Sequence, residues 1–225
     1  MNNKAIETAK FFIILYISLI FVLSIIIHRF NYSAWMIWFA IEGSLVEYST
    51  VILLLIALLF WIKRFISGYT VGPKVFRPGI LVIILLIILI IGEEISWGQH
   101  ILKFKPPLWF LANNRQAEFN LHNLDLGFLR LDNFLFYLLT VISFLIYLIL
   151  FPLAANFSKI FRSFLDRVGI PLPRLYLSVF YCFFIALAIA YLSYPSDRGL
   201  GEAVELIEAA VILLVTIDPK NQEVF

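Results

Sequence analysis

Cysteine is almost missing from this chain: Cys182 is the only one in 225 residues. That excludes a disulfide framework and a paired-cysteine metal site. Charge is scarce as well, at 14% of residues, where soluble proteins carry about a quarter. The basic residues are dispersed, with no stripe or basic face, so nucleic-acid binding has no support. No internal repeat and no low-complexity linker divides the chain. The first apolar run is not followed by a small-residue cleavage site; His28-Arg29-Phe30 comes instead. It reads as a retained span rather than a signal peptide.

What remains is apolar: 62% of residues are hydrophobic and 17% aromatic. A length of 225 is therefore better counted in spans of about 20 residues. Apolar runs at about 11–27, 44–62, 80–96, 134–153, 175–194 and 202–217 predict an all-α, polytopic membrane helical bundle of about six transmembrane helices. The whole chain, 1–225, reads as one integral membrane domain with an outer loop at about 101–131. Lys and Arg orient it. Lys4, Lys10, Lys63, Arg64, Lys74, Arg77, Lys159, Arg162, Arg167, Arg174 and Lys220 put eleven charges on one side, against six on the other. The positive-inside rule then places both termini in the cytoplasm. An Ile-, Phe- and Asn-rich chain of this kind fits a bacterial inner (cytoplasmic) membrane.

That orientation sorts the acids. Glu7, Asp166, Asp218 and Glu223 fall inside, and the other eleven fall at or beyond the outer ends of spans, together with His28, His100 and His122. Outer loops explain Asp125, Asp132 and Asp197. They do not explain Glu47, Glu205 and Glu208, which lie within apolar runs, or Glu93 and Glu94 at the end of the run 80–91. An ionised acid at a helix centre costs roughly 2.5–3.5 kcal/mol, so such residues are read as functional.

Helical spacing says which of them meet. Glu93, Ser96 and His100 fall at i, i+3 and i+7 of the third span, one stripe of a continuous helix. Glu202, Glu205 and Glu208 make a ridge on the last span, and Glu42 and Glu47 open the second. Turned inward, these stripes predict one carboxylate-rich pocket at the outer membrane edge, with His28, His100, His122 and Arg115 as basic partners. Glu202 and Glu42 also suit a plain helix-start role, which the helix dipole favours. The outer loop adds Gln99, Asn120 and His122 from a dense amide segment, Asn113-Asn114-Arg115-Gln116-Ala117-Glu118-Phe119-Asn120-Leu121-His122-Asn123. Amides orient, and an imidazole transfers a proton or binds a metal.

The segment Gly92-Glu93-Glu94-Ile95-Ser96-Trp97 resembles the Glu-Glu opening of the CAAX-protease and bacteriocin-processing family of intramembrane proteases. The resemblance implies that Glu93 and Glu94 activate water, with His122 as the later imidazole. Gly98 stands where that family carries Arg, and no His-x-x-x-Asn follows. Glu94-x-Ser96-x-x-x-His100 is similar to the first motif of the alkaline ceramidase-like hydrolases, which implies zinc held by histidines. The chain otherwise looks like a bacterial multi-pass membrane protein. The leading expectation is a membrane-embedded hydrolase acting on a lipid or peptide substrate through Glu93, Glu94 and His122. Glu47, Ser96, Gln99, Asn120, Glu205 and Glu208 would line the pocket, and His100 and His122 would hold a divalent metal, zinc or iron, if one binds. A proton- or cation-coupled transporter and a structural membrane subunit are the other classes.

Overall fold

The structure, a computed structural model, describes residues 3–40, 43–66, 76–125, 127, 133–192 and 198–225. Glu42, and with it Lys74, Arg130, Asp132 and Asp197 of the charge map, lies outside the described residues. The described chain is all-helical, with no strand and one isolated bridge between Asn114 and Leu124. In order come α1 (Asn3–Phe30), α2 (Tyr32–Trp35) running into a π-helical turn at Met36–Ala40, and α3 (Leu45–Ile66). Then come α4 (Phe76–Glu94), a 3-10 turn at Ser96–Gly98, α5 (Gln99–Leu102) and α6 (Leu108–Asn113). The chain continues with α7 (Asn133–Leu145), a π-turn at Ile146–Leu150, α8 (Phe151–Phe157), α9 (Lys159–Val168), α10 (Leu175–Leu192) and α11 (Arg198–Ile217).

Within the described residues each of the six expected segments lies largely on helix, the third broken after Glu94. Among the described residues three helices are long and apolar enough to cross a membrane: Asn3–Phe30, Leu45–Ile66 and Leu138–Phe157. A fourth span results if Pro78–Glu94 and Ser96–Leu102, bent by 71°, count as one. Leu175–Tyr191 is apolar but shorter.

Helix α11 is the hub. It packs against α1, α3, α7, α10 and the Met36–Ala40 turn, and it is buried nearly all round, with Val204, Ile207, Ala210, Val211 and Leu214 fully covered. From Ala209 to Val215 it is apolar on every side, the pattern of a helix in the middle of a bundle. Other helices bury one stripe each, α4 packing on α3 and α9. On α1 that stripe is Ile17, Ile20, Phe21 and Ser24. On α3 it is Val46, Ser49, Thr50, Leu53, Leu54, Ala57 and Trp61. On α4 it is Ile80, Ile84, Ile87 and Ile91. The remaining faces stay exposed and equally apolar, as with Leu81, Val82, Leu85 and Leu86 of α4.

Polar side chains bind the helix ends opposite the expected site. Asp218 accepts from Arg174 Nε at 2.8 Å and from Gln222 at 2.7 Å, and pairs with Lys10 at 2.7 Å. Trp61 Nε1 donates to Thr216 at 2.9 Å, and Arg64 donates to the Thr216 carbonyl at 2.7 Å. Near the start of α4 a Cβ on Gly79 would stand 1.7 Å from the Val168 carbonyl oxygen; only glycine lets α4 pass α9 so closely.

The Leu138–Phe157 helix carries its own defect. Pro152 has no N–H, so the carbonyl of Leu148 loses its usual partner one turn on. Ser178 of α10 supplies the replacement, donating to Leu148 O at 2.7 Å. Ser178→Ala strands that buried carbonyl and is expected to cost about 1–3 kcal/mol, read as reduced unfolding stability in detergent. Unchanged stability would show that the bond does not hold the π-turn.

Candidate functional site

The site begins where α4 stops. Ser96, Trp97 and Gly98 take left-handed backbone conformations, with φ of 46°, 52° and 79°. Gly98 does so freely, whereas a side-chain-bearing residue there costs on the order of 1–3 kcal/mol. Three contacts oppose that cost. The Ser96 hydroxyl donates to Glu118 Oε2 at 3.0 Å, the Trp97 indole N–H donates to Glu93 Oε1 at 2.9 Å, and the indole lies flat against Gly92. A Cβ on Gly92 would sit 2.9 Å from that ring.

This turn corrects the expected stripe of Glu93, Ser96 and His100. The helix does not continue past Glu94, so i, i+3, i+7 spacing no longer describes one face. Ser96 is buried, whereas His100 is exposed on α5. The left-handed turn swings α5 away and lets the outer loop fold back over the end of α4.

Glu93 is the anchor of that loop. Besides Trp97, its carboxylate accepts from the backbone N–H of Leu121 at 2.6 Å and of His122 at 3.3 Å, and lies 3.5 Å from His122 Nδ1. On the other side of the ring, Asn123 Nδ2 is 3.2 Å from Nε2. In the neutral ring with Nδ1–H turned to Glu93, Nε2 accepts from that amide; in the charged ring both nitrogens donate. Burial of the His122 ring opposes its charge. The bond to Glu93 and the fields of Glu205, Glu93 and Glu118 outweigh burial and raise its pKa above the ordinary value.

Beside it lies an amide network around Glu118, which the sequence reading left among the loop residues. Glu118 Oε2 accepts from Asn120 Nδ2 at 2.6 Å and from Asn123 Nδ2 at 3.4 Å. Asn120 Nδ2 also reaches Ser96 Oγ at 3.0 Å, and Asn114 Nδ2 donates to Asn120 Oδ1 at 2.8 Å. Gln99 clamps the same turn, its Oε1 accepting from Phe119 N at 2.7 Å. Ser96, Gln99 and Asn120 thus hold the loop in place. The clue to Glu118 was its position between amides at 114, 116, 120 and 123.

Behind the loop is a cavity of about 160 Å³, lined among others by Glu93, Glu94, Glu205, Glu208, His122, Thr140 and Thr50. The second, third and last expected spans therefore do meet here. Glu208 accepts from the Tyr181 hydroxyl at 3.0 Å and from Thr140. Both donors come from apolar runs in which sequence spacing gave no reason to single them out. Glu93 and Glu94 part company. Glu93 has all its acceptor directions occupied, since a carboxylate offers about four. No hydrogen bond holds the Glu94 carboxyl among the described residues, and it shares the field of Glu205, Glu202, Glu47 and Glu208.

Two expected residues have other work. Glu47 caps α3: its Oε2 accepts from Gly43 N at 2.6 Å, while Ser44 Oγ accepts from Glu47 N at 3.2 Å, an arrangement close to a capping box. It stands near the cavity without lining it. His28 packs edge-on against Trp35 at 4.5 Å, and Arg115 is exposed. Among the described residues no group of three or more His, Cys, Asp or Glu side chains is arranged to hold a metal ion; His100 and His122 are not brought together with a third such ligand.

No protein-family model matches the chain, and no curated protein or solved structure is significantly similar to it.

The Glu93–His122 contact makes stability depend on pH. A raised imidazole pKa means the contribution is fully present below the unfolded value, about 6.5. It is lost as pH rises through the higher folded value. The advantage of the wild type over His122→Gln in thermal unfolding is expected to be largest below about pH 6.5 and to shrink above it. An advantage that grows with pH would refute the assignment. Gly92→Ala is expected to push the indole off Glu93 and to lower stability by about 1–3 kcal/mol, with a shift in tryptophan emission as the reporter.

Proposed function

We propose that this protein is a membrane-embedded hydrolase that cleaves a lipid or a membrane peptide at the bilayer edge. The carrying observation is the small cavity in which Glu94, Glu205, Glu208 and His122 face one another behind a loop pinned by Glu93. Its chemistry follows from the division between the two neighbouring glutamates. Glu93, saturated by Trp97, Leu121 and His122, orients the imidazole and favours its charged form. Glu94 has room to accept the proton of a water molecule. That water attacks the scissile carbon or phosphorus, and the His122 imidazolium protonates the leaving group. A bound zinc or iron, if present, would act on the same water.

In this reading all six long helices form one integral bundle with both termini in the cytoplasm. The site then lies at the extracytoplasmic edge of a bacterial inner membrane. The Lys and Arg distribution supports that orientation, and the one-sided depth of the acids supports an enzyme over a transporter. Ala209 to Val215 of α11 offers no polar step, which a proton or cation path would need.

Activity on reconstituted membrane lipids and peptides tests the proposal. Glu94→Gln is expected to reduce turnover by roughly 10²–10⁴-fold with expression and thermal stability retained. Glu93→Gln is expected to reduce turnover too, and to lower stability. Full turnover in Glu94→Gln removes the enzyme reading, and proton flux in loaded vesicles would replace it with transport. Activity that survives a chelator assigns the water to Glu94 alone. Loss restored by zinc or iron assigns it to a metal.

A further inference from the structure

The carboxyl cavity does not stand by itself. It shares Ile90, Phe144 and Ile212 with a second cavity of about 530 Å³ that runs between α4 and the Leu138–Phe157 helix over a floor of α11. The polar cavity, at about 160 Å³, is below the roughly 300–1,000 Å³ of ordinary small-molecule sites, and the second falls within that range. From Gly79 to Ile90 the groove follows twelve residues of α4, eleven steps of about 1.5 Å or roughly 16 Å. That is about half of a ~30 Å hydrocarbon core, the depth of one leaflet. The tight pass of Gly79 against Val168 lies at its far end.

The lining decides what fits. Val82, Leu86 and Ile90 are apolar and exposed, and Ile83, Ile87, Val211 and Val215 continue the surface. The few polar groups are already used. Thr216 Oγ1 accepts from Trp61 and donates to Ile212 O, and its carbonyl accepts from Arg64. The Tyr147 hydroxyl donates to Pro171 O. A peptide backbone in this groove would leave its N–H and C=O groups without partners, at several kcal/mol each. An alkyl chain has none to satisfy. Because bilayer lipid is as apolar as the groove, the chain gains little by entering it. Selectivity must come from the head, at the end where Glu94, Glu205 and Glu208 face a single imidazole that is already turned to Glu93.

Resting on the hydrolase reading for its chemistry, we propose that the substrate is a lipid with one alkyl chain in the α4–α7 groove and an amine-bearing, cationic head in the Glu94–Glu205–Glu208 cavity. The test uses the full chain in phosphatidylcholine vesicles and three photoreactive probes with a diazirine in the chain: hexadecylamine, hexadecanoic acid and hexadecanol. The amine is expected to label the 82–90 and 211–215 segments several-fold more than the acid or the alcohol. Leu86→Trp, at a half-exposed position that tolerates bulk, is expected to abolish that labelling, as is Val82→Trp. Glu208→Gln is expected to reduce the preference for the amine. Equal labelling by all three probes would overturn the head assignment. Labelling that persists in both tryptophan variants, or that falls elsewhere, would overturn the groove. Labelling needs no turnover, so a failure of hydrolysis in the wild type leaves this result standing as a binding site. Hydrolysis without groove labelling would refute the inference and spare the enzyme.

Discussion

A carboxylate taken out of bulk water has to be met by donors, and at Glu93 the whole outer edge of the molecule is arranged to meet it. The indole of Trp97, two backbone amides at Leu121 and His122, and the His122 ring all converge on one side chain. The left-handed turn at Ser96–Gly98 exists because only a reversal brings Trp97 back over α4. Gly92 is bare because the indole needs the space. The loop from Asn114 to Leu124 lies on the helix end because its amides are the donors. Without the charge at Glu93 the indole, the two loop amides and the ring lose their common acceptor, leaving Ser96, Gln99 and Glu118 to tie the loop to the helix end.

The second constraint is the burial of α11. Its carboxyls at Glu205 and Glu208 are covered by neighbouring helices, with Tyr181 and Thr140 supplying hydrogen bonds to Glu208. One helix thereby presents carboxyls at one end and a smooth apolar floor along the rest. Polar cavity and apolar groove are two stretches of the same helix surface, which is why they join at Ile212.

The two adjacent glutamates illustrate how packing separates identical chemistry. Glu93 is spent on structure and on holding an imidazole, and Glu94, one residue on, faces the cavity. A hundred degrees of helix rotation accounts for the difference. The reading that gave both the same catalytic task treated them as a pair, because adjacency is all that a linear motif displays.

Much of the fold was legible in the amino-acid sequence: long apolar runs must become helices, and acids embedded in them must gather at a site. Glu93, Glu94, Glu205 and Glu208 stood out that way, because their desolvation cost is written in the residue type, and they line one cavity with His122, the imidazole of the amide-rich loop. Which face of each helix points inward was not legible. Ile80, Ile84, Ile87 and Ile91 are buried while Leu81, Leu85 and Ile88 are exposed, and a helix whose buried and exposed faces are equally apolar carries no polarity period. Nor was the break after Glu94 legible, since Ser96 and Trp97 are left-handed only because Glu118 and Glu93 hold them there. The capping role of Glu47 was not legible, since the helix-start reading was given to Glu202 and Glu42, and only local geometry showed the bonds at Gly43 and Ser44. Residue chemistry determined that a carboxylate site lies at one end of a helical membrane-type chain. Tertiary contacts decided which acid is held, which is presented, and what groove leads to it, because those depend on neighbours far apart in the chain.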